Sequence, residues 1–154
     1  MNDLQLVENG DGGDLVLLGN DLVLIGGFQN MPYLGLFGGN PEGSTGEVNT
    51  GEQRFDWWGN DLFFQNEESI QFNSELEDLL RRVALTSSGR LQIEQTTKKD
   101  LEFMGDFANV AVAVSLVDND RIEIAIAIQQ PDNLEATNFV YIWDATSQEL
   151  INTV

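Results

Sequence analysis

The chain contains neither cysteine nor histidine in its 154 residues. Without thiols there are no disulfides, no thiolate nucleophile and no cysteine-ligated zinc. Without imidazole, the commonest general base and metal ligand is missing, and most hydrolase mechanisms lose their usual proton carrier. Basic residues are scarce too: seven Lys and Arg stand against 26 Asp and Glu, a formal charge of −19. Phosphate backbones and anionic headgroups repel such a chain, which argues against nucleic acid and against membrane attachment through a basic face. No basic residue precedes Arg54, and five of the seven fall between Arg81 and Lys99, where i,i+4 pairing on helices accounts for them. No apolar run reaches the roughly 18 to 20 residues that span a bilayer. The opening Met-Asn-Asp-Leu-Gln-Leu has no basic or long apolar region, so no secretory leader is expected.

What is present suits one core: 42% of residues are apolar, enough for a single domain over 1–154. The stretch "GDLVLLGNDLVLIGG" (13–27) repeats itself, with Asp14-Leu-Val-Leu-Leu-Gly followed at once by Asp21-Leu-Val-Leu-Ile-Gly. Aspartate and glycine around apolar triplets suggest either a calcium-binding β-roll or a hairpin. A β-roll repeats every nine residues and needs several copies, whereas these aspartates are seven apart. Strands at Asp3–Val7, Asp14–Leu18 and Asp21–Ile25 are therefore predicted to form an antiparallel meander (1–27), with Gly19-Asn20 as a tight turn. Apolar residues occupy both of its faces, so it calls for cover on two sides, from the rest of the chain or from a partner.

Met31–Phe37 is predicted to be a short helix with Pro32 in its first turn, and 38–56 an exposed glycine-rich loop. "RFDWWGNDLFF" follows. Trp57 and Trp58 read either as core anchors or, with Arg54 and Phe55 nearby, as interface anchors beside a turn at Gly59-Asn60. A helical pair is expected over 73–105. Ser74-Glu-Leu-Glu77 forms a capping box ahead of a stripe of Leu76, Leu79, Leu80 and Val83. A second helix from about Ser88 to Met104 carries Ile93, Thr97, Leu101 and Met104, with Gly105 as its stop. In 108–144 the alternation is plainest: Val110, Val112, Val114 and Leu116, a turn at Asp118-Asn-Asp120, then Ile122, Ile124, Ile126 and Ile128, with a third strand at Phe139–Trp143. The large face is expected on the helices, and the other face is small and nearly uncharged. The fold class is thus α+β: an N-terminal meander, two or three helices, and a C-terminal antiparallel three-stranded sheet packed on the helices. Acidic pairs are abundant by composition alone, and no spacing singles out a glycosidase pair.

In this order, Asp14-Leu-Val-Leu, Asp21-Leu-Val-Leu, Arg54 with Trp57-Trp58-Gly59-Asn60, Asp100-Leu101 and the Val/Ile hairpin 110–128 resemble the Mu-type baseplate wedge proteins of contractile-tailed phages. Those are similar to the small lysozyme-like wedge subunit of T4-type baseplates. The resemblance spans roughly residues 3 to 144. It implies a structural virion protein of the tail baseplate, assembled in the host cytoplasm, six copies per baseplate, each beside two copies of a larger wedge protein. The tail sheath subunit and central hub or tube proteins are the other partners it implies, with a sheet edge on which the sheath starts by strand addition. It implies no cofactor and no metal, and the lysozyme-like label places no catalytic residue on this chain. A Glu-Pro-Arg motif that many relatives carry before the terminal hairpin is replaced here by Gly105-Asp-Phe-Ala-Asn109. The interface candidates are Arg54, Phe55, Trp57, Trp58 and Asn60 in the aromatic stretch, and Val112, Val114, Tyr141 and Trp143 in the strands. A peptidoglycan hydrolase of the tail and a secreted calcium-binding module are the alternatives.

Overall fold

A computed structural model describes residues 2–8, 13–26, 28–39, 62–64 and 70–153. At the N-terminus the three predicted strands are present, but each is broken at its middle residue. The halves are β1 (Asn2–Leu4) and β2 (Leu6–Glu8), β3 (Gly13–Leu15) and β4 (Leu17–Leu18), β5 (Asp21–Leu22) and β6 (Leu24–Gly26). β2 pairs with β3, β4 with β5, and β6 returns to β1, all antiparallel. The three middle residues bond in a cycle: Gln5 N–H to Val23 O (2.9 Å), Val23 N–H to Val16 O and Val16 N–H to Gln5 O (both 3.0 Å). The pairings of the expected meander are present, β2 with β3 and β4 with β5, and the pairing of β1 with β6 closes them into a three-sided ring. Bending each strand at its centre lets it pair with both neighbours, which gives the first and third strands partners and removes two bare edges.

The ring follows a threefold repeat in the sequence, Asp-Leu-x-Leu-aliphatic, at Asp3–Val7, Asp14–Leu18 and Asp21–Ile25. Each side of the ring opposes one Leu–Leu pair (Leu4/Leu24, Leu6/Leu15, Leu17/Leu22) and one Asp–aliphatic pair (Asp3/Ile25, Asp14/Val7, Asp21/Leu18). Gly19 takes φ +67° in the two-residue turn, a conformation that glycine reaches without a Cβ clash. Buried Asn30 ties the ring to the body. Its Oδ1 accepts from Leu6 N–H (3.1 Å), and its Nδ2 donates to Leu4 O (2.6 Å) and Asp3 Oδ2 (3.0 Å).

α1 (Met31–Phe37) forms as expected, with Pro32 where a missing N–H does no harm. α2 (Leu76–Arg82) and α3 (Ser87–Asp100) make the helical pair. Of the predicted stripes, Leu76, Leu80, Ile93, Thr97, Leu101 and Met104 are at most 2% exposed, while Leu79 and Val83 are half-buried against the core. α3 ends four residues before Met104, and Glu102–Asp106 form a 3₁₀ turn that contains Gly105, so Gly105 does not stop the helix.

The capping box is also corrected. Glu77 pairs with Arg81 one turn on; Ser74 Oγ still accepts from Leu76 N–H (3.3 Å), and the carboxylate of the cap comes from a distance. Asp100 Oδ2 accepts from Glu75 N–H (3.0 Å), Leu76 N–H (2.9 Å) and lies 3.1 Å from Ser74 Oγ, which donates to Leu36 O. A carboxylate from α3 thus supplies the charge that a helix N-terminus favours, and joins α1, α2 and α3 at one point.

The C-terminal sheet has four strands where three were predicted: β7 (Asn109–Leu116), β8 (Arg121–Gln129), β9 (Thr137–Asp144) and β10 (Glu149–Thr153), in spatial order β10-β9-β8-β7. β10 escaped prediction because a bulge between Leu150 and Asn152 interrupts its alternation. The large face packs on the helices, with Ile122, Ile124, Ile126 and Ile128 at most 3% exposed. Phe37 of α1 meets Tyr141 edge-on at 5.4 Å between ring centres.

Candidate interaction surfaces

The two edges of the sheet differ. β10 is short, bulged and lies beside β2 of the ring. β7 runs eight residues in unbroken register with β8. Natural edge strands are usually blunted by charge, proline or a bulge. β7 has none of these, and no charged residue occurs from Phe107 to Val117. Its outward groups follow from the hairpin: Val117 N–H donates to Arg121 O at 3.0 Å, so 117 and 121 form a bonded pair. Bonded and non-bonded pairs alternate in an antiparallel ladder. The odd residues Ala111, Ala113 and Ser115 therefore bond to β8, and the even residues Val110, Val112, Val114 and Leu116 turn their N–H and C=O outward. One of these groups is already met, since Arg90 Nη1 of α3 donates to Val114 O at 3.1 Å.

Arg90 is held in place by Glu94 (2.9 Å), which also binds Lys98 (2.6 Å). The Lys98 hydrogen bond, opposed by burial and aided by Arg90, holds the Glu94 carboxyl below the usual carboxylate range. The outer face of the sheet carries Ala111, Ala113, Ala125, Ala127, Val140 and Ile142, all exposed or half-buried. Small side chains there let another backbone come close.

The predicted interface residues fall into three groups. Val112 lies on the open edge, half-buried, with its backbone outward. Val114, on the same strand, points its side chain into the core at 5% exposure. Tyr141 and Trp143 are core residues at 4% and 2% exposure, and β9 is an inner strand, which takes both off the surface and off the edge. Burial pushes the Tyr141 phenol well above its usual range. Trp143 Nε1 is buried and meets no acceptor among the described residues. Arg54, Phe55, Trp57, Trp58 and Asn60 lie outside the described residues, as does most of the expected 38–56 loop.

The polar features offer little chemistry. Burial pushes the Asp100 carboxyl up to about 6, against the pull of the Leu76, Ser74 and Glu75 hydrogen bonds. That value suits a general acid, yet the oxygen concerned is committed to capping α2. At the far end of the sheet, Asp118, Asp120, Asp144 and Thr146 line a recess with Arg121 inside it. Arg121 Nε donates to Asp144 at 3.0 Å and, with the Ser147 and Thr146 N–H groups, holds Asp144 below its ordinary range. The described residues contain no group of three or more acids placed to hold a metal ion. No helix among them is long and apolar enough to cross a membrane.

Sequence reasoning missed Asn30, Arg90 and the capping role of Asp100. Only the ring left a usable signal, because Asp3–Val7 is a third copy of the repeat seen at 14 and 21. Comparison with protein-family models, with curated proteins and with solved structures found no match.

Proposed function

We propose that this chain is a non-enzymatic structural subunit of a contractile phage tail baseplate wedge. In this reading it resides in the virion after assembly in the host cytoplasm. It binds the larger wedge protein and offers β7 as the edge on which the first sheath subunit adds a strand. The observation that carries the reading is the long regular edge: eight uncharged residues in unbroken register, with outward N–H groups at Val110, Val112, Val114 and Leu116 and only the Val114 carbonyl met, by Arg90. Main-chain bonds to that row supply affinity, and the alternating Val and Ala faces set the register of the added strand. The absence of histidine and cysteine from the sequence and the commitment of Asp100 to a helix start support a role without catalysis. The particular machine is taken from the resemblance of the order of motifs to baseplate wedge proteins.

Two adjacent proline substitutions test it. Val112→Pro removes an outward donor and leaves the β8 ladder whole, whereas Ala113→Pro removes a bond to β8. The expected result is a folded Val112→Pro protein that enters wedges but starts few sheaths, and an Ala113→Pro protein that folds poorly. Full sheaths at wild-type frequency on Val112→Pro wedges would sink the strand-addition reading. Hydrolysis of cell wall by the purified chain, lost on replacing one carboxylate, would overturn the non-enzymatic part.

A further inference from the structure

The end of α1 is fastened to the helical pair through Ser74. Its N–H donates to Gly39 O (2.7 Å), and its hydroxyl donates to Leu36 O in the last turn of α1, where carbonyls lack helical partners. Ser74 is 1% exposed and Leu36 0%, so solvent does not replace a bond lost between them.

The Ser74 hydroxyl has three polar neighbours and one proton. Leu36 O can only accept, Leu76 N–H can only donate (3.3 Å), and Asp100 Oδ2 lies 3.1 Å away. With the Ser74 proton on Leu36 O, its closest neighbour, a charged Asp100 would set two proton-free oxygens against each other. A protonated Asp100 removes that conflict. Its O–H donates to Ser74 Oγ, while Oδ2 still accepts from Glu75 N–H (3.0 Å) and Leu76 N–H (2.9 Å). Those bonds use the proton and both lone pairs of a carboxyl hydroxyl. The set of bonds seen is that of the neutral group.

We propose that Asp100, Ser74 and Leu36 form a proton-operated latch between α3 and the end of α1. With a proton on Asp100, the chain from Asp100 O–H through Ser74 O–H to Leu36 O is complete. Without it, the single Ser74 proton has two acceptors, and the carboxylate, being charged, takes it. Leu36 O then loses its donor, and Ser74 N–H alone ties this end of α1 to α2. Asn30, which holds the N-terminal ring, immediately precedes α1, so release of the helix also loosens the ring. The latch stands independently of the wedge reading.

The surroundings bring the proton into an accessible range. Burial pushes the Asp100 carboxyl up to about 6. α1 has no charged residue. At the start of α2 the Glu75 carboxylate raises Asp100 further, and it is itself bonded to Lys99 of α3 (2.5 Å). Glu77 and Asp78 in the first turn of α2 are paired with Arg81 and Arg82, and Glu102 beyond α3 is exposed.

Carbon-13 shifts of the Asp100 carboxyl and the Leu36 carbonyl, followed from about pH 4.5 to about pH 8, test the latch on the unaltered chain. The expected result is one shared midpoint near 6. Across it, protection of the Leu34 and Gly38 amides of α1 against exchange should fall by about tenfold as pH rises, while β8 stays protected. Asp100→Asn supplies a donor and an acceptor at every pH, and should keep α1 protected throughout. Ser74→Ala should leave Asp100 titrating and the Leu36 carbonyl unresponsive. An Asp100 carboxyl that stays charged down to about pH 5, or one that titrates while Leu36 and the α1 amides stay unchanged, would overturn the latch. The same pH dependence in Asp100→Asn as in wild type would assign it to the general repulsion of a −19 chain, and would overturn the latch as well.

Discussion

The leucines of the N-terminal ring come from continuous apolar runs and the isoleucines of β8 from an alternating one, and several of the former stay bare while the latter are buried. Ile122, Ile124, Ile126 and Ile128 are at most 3% exposed, while Leu17, Leu18 and Leu24 are 66%, 78% and 61% exposed. The difference is not in the residues but in the width of what they belong to. β8 is an inner strand of a four-stranded sheet with a helical layer over its large face. The ring's sides are two or three residues long, and its strands bend back on one another. Leu4, Leu6 and Ile25 are half-buried and β2 lies beside β10, but Leu17, Leu18 and Leu24 stay bare. A short closed ring satisfies its hydrogen bonds without covering all of its side chains.

The largest expected effect breaks the buried side of that comparison. Ile124→Ala should cost about 3 kcal/mol, as cavity-forming core substitutions do, and lower Tm by roughly 10 °C. Leu24→Ala, read in the same denaturant titration, should change stability by no more than about 0.5 kcal/mol. An equal loss from both would mean that the ring is covered after all.

Asn30→Ala comes next. It removes the acceptor of Leu6 N–H and the donor to Leu4 O and Asp3, which together hold the ring to the body. Loss of one such partner typically costs about 1 to 3 kcal/mol. Amide exchange at Gln5, Val16 and Val23 should speed up while that of β8 stays slow; uniform acceleration would show ring and sheet opening as one unit.

Asp100 sharpens the covered side, because it pins the helical layer that hides the isoleucines. Its carboxyl titrates near 6 in the folded chain against an ordinary value of 3.8. The folded state therefore takes up a proton more readily than the unfolded one. The resulting stabilisation is fully present below about 3.8 and is lost as pH rises through about 6. Acidification also relieves the general repulsion of a −19 chain, so the measurement is a difference. Denaturation midpoints of wild type and Asp100→Asn, compared from pH 7 to pH 4, should converge as pH falls, with the variant at least as stable at pH 7. Parallel curves would show that this group does not titrate in that window.

The smallest effect belongs to Leu17→Ser with Leu18→Ser, where no measurable change in the melting of the isolated chain is expected. A loss of several degrees would place these leucines inside the fold.

Legibility in the sequence followed the same divide. Val110–Leu116 and Ile122–Ile128 were readable as a hairpin because period two persists over eight or nine residues. Leu76, Leu80, Ile93 and Thr97 were readable as buried helix positions from their spacing. Of the Ser74 box, the hydroxyl caps Leu76 N–H as its position indicates, but local pattern contains no information about Asp100, the carboxylate 26 residues away that takes the helix start. Ring closure was hidden likewise, since pairing Leu4 with Leu24 is non-local. Tyr141 and Trp143 were placed at an interface because nothing in Phe139–Trp143 announces the strand that follows. Once β10 pairs beside it, β9 becomes an inner strand and its aromatics become core.

The sequence by itself determined the charge, the missing thiol and imidazole chemistry, the kinds of element and the apolar face of each, because these depend on residue identity and short-range periodicity. Only the tertiary structure decided which strand is the open edge, which carboxylate caps α2, and which leucines stay bare. Those outcomes depend on contacts between distant segments, where the loop entropy of bringing them together is repaid only by the whole assembly of neighbours.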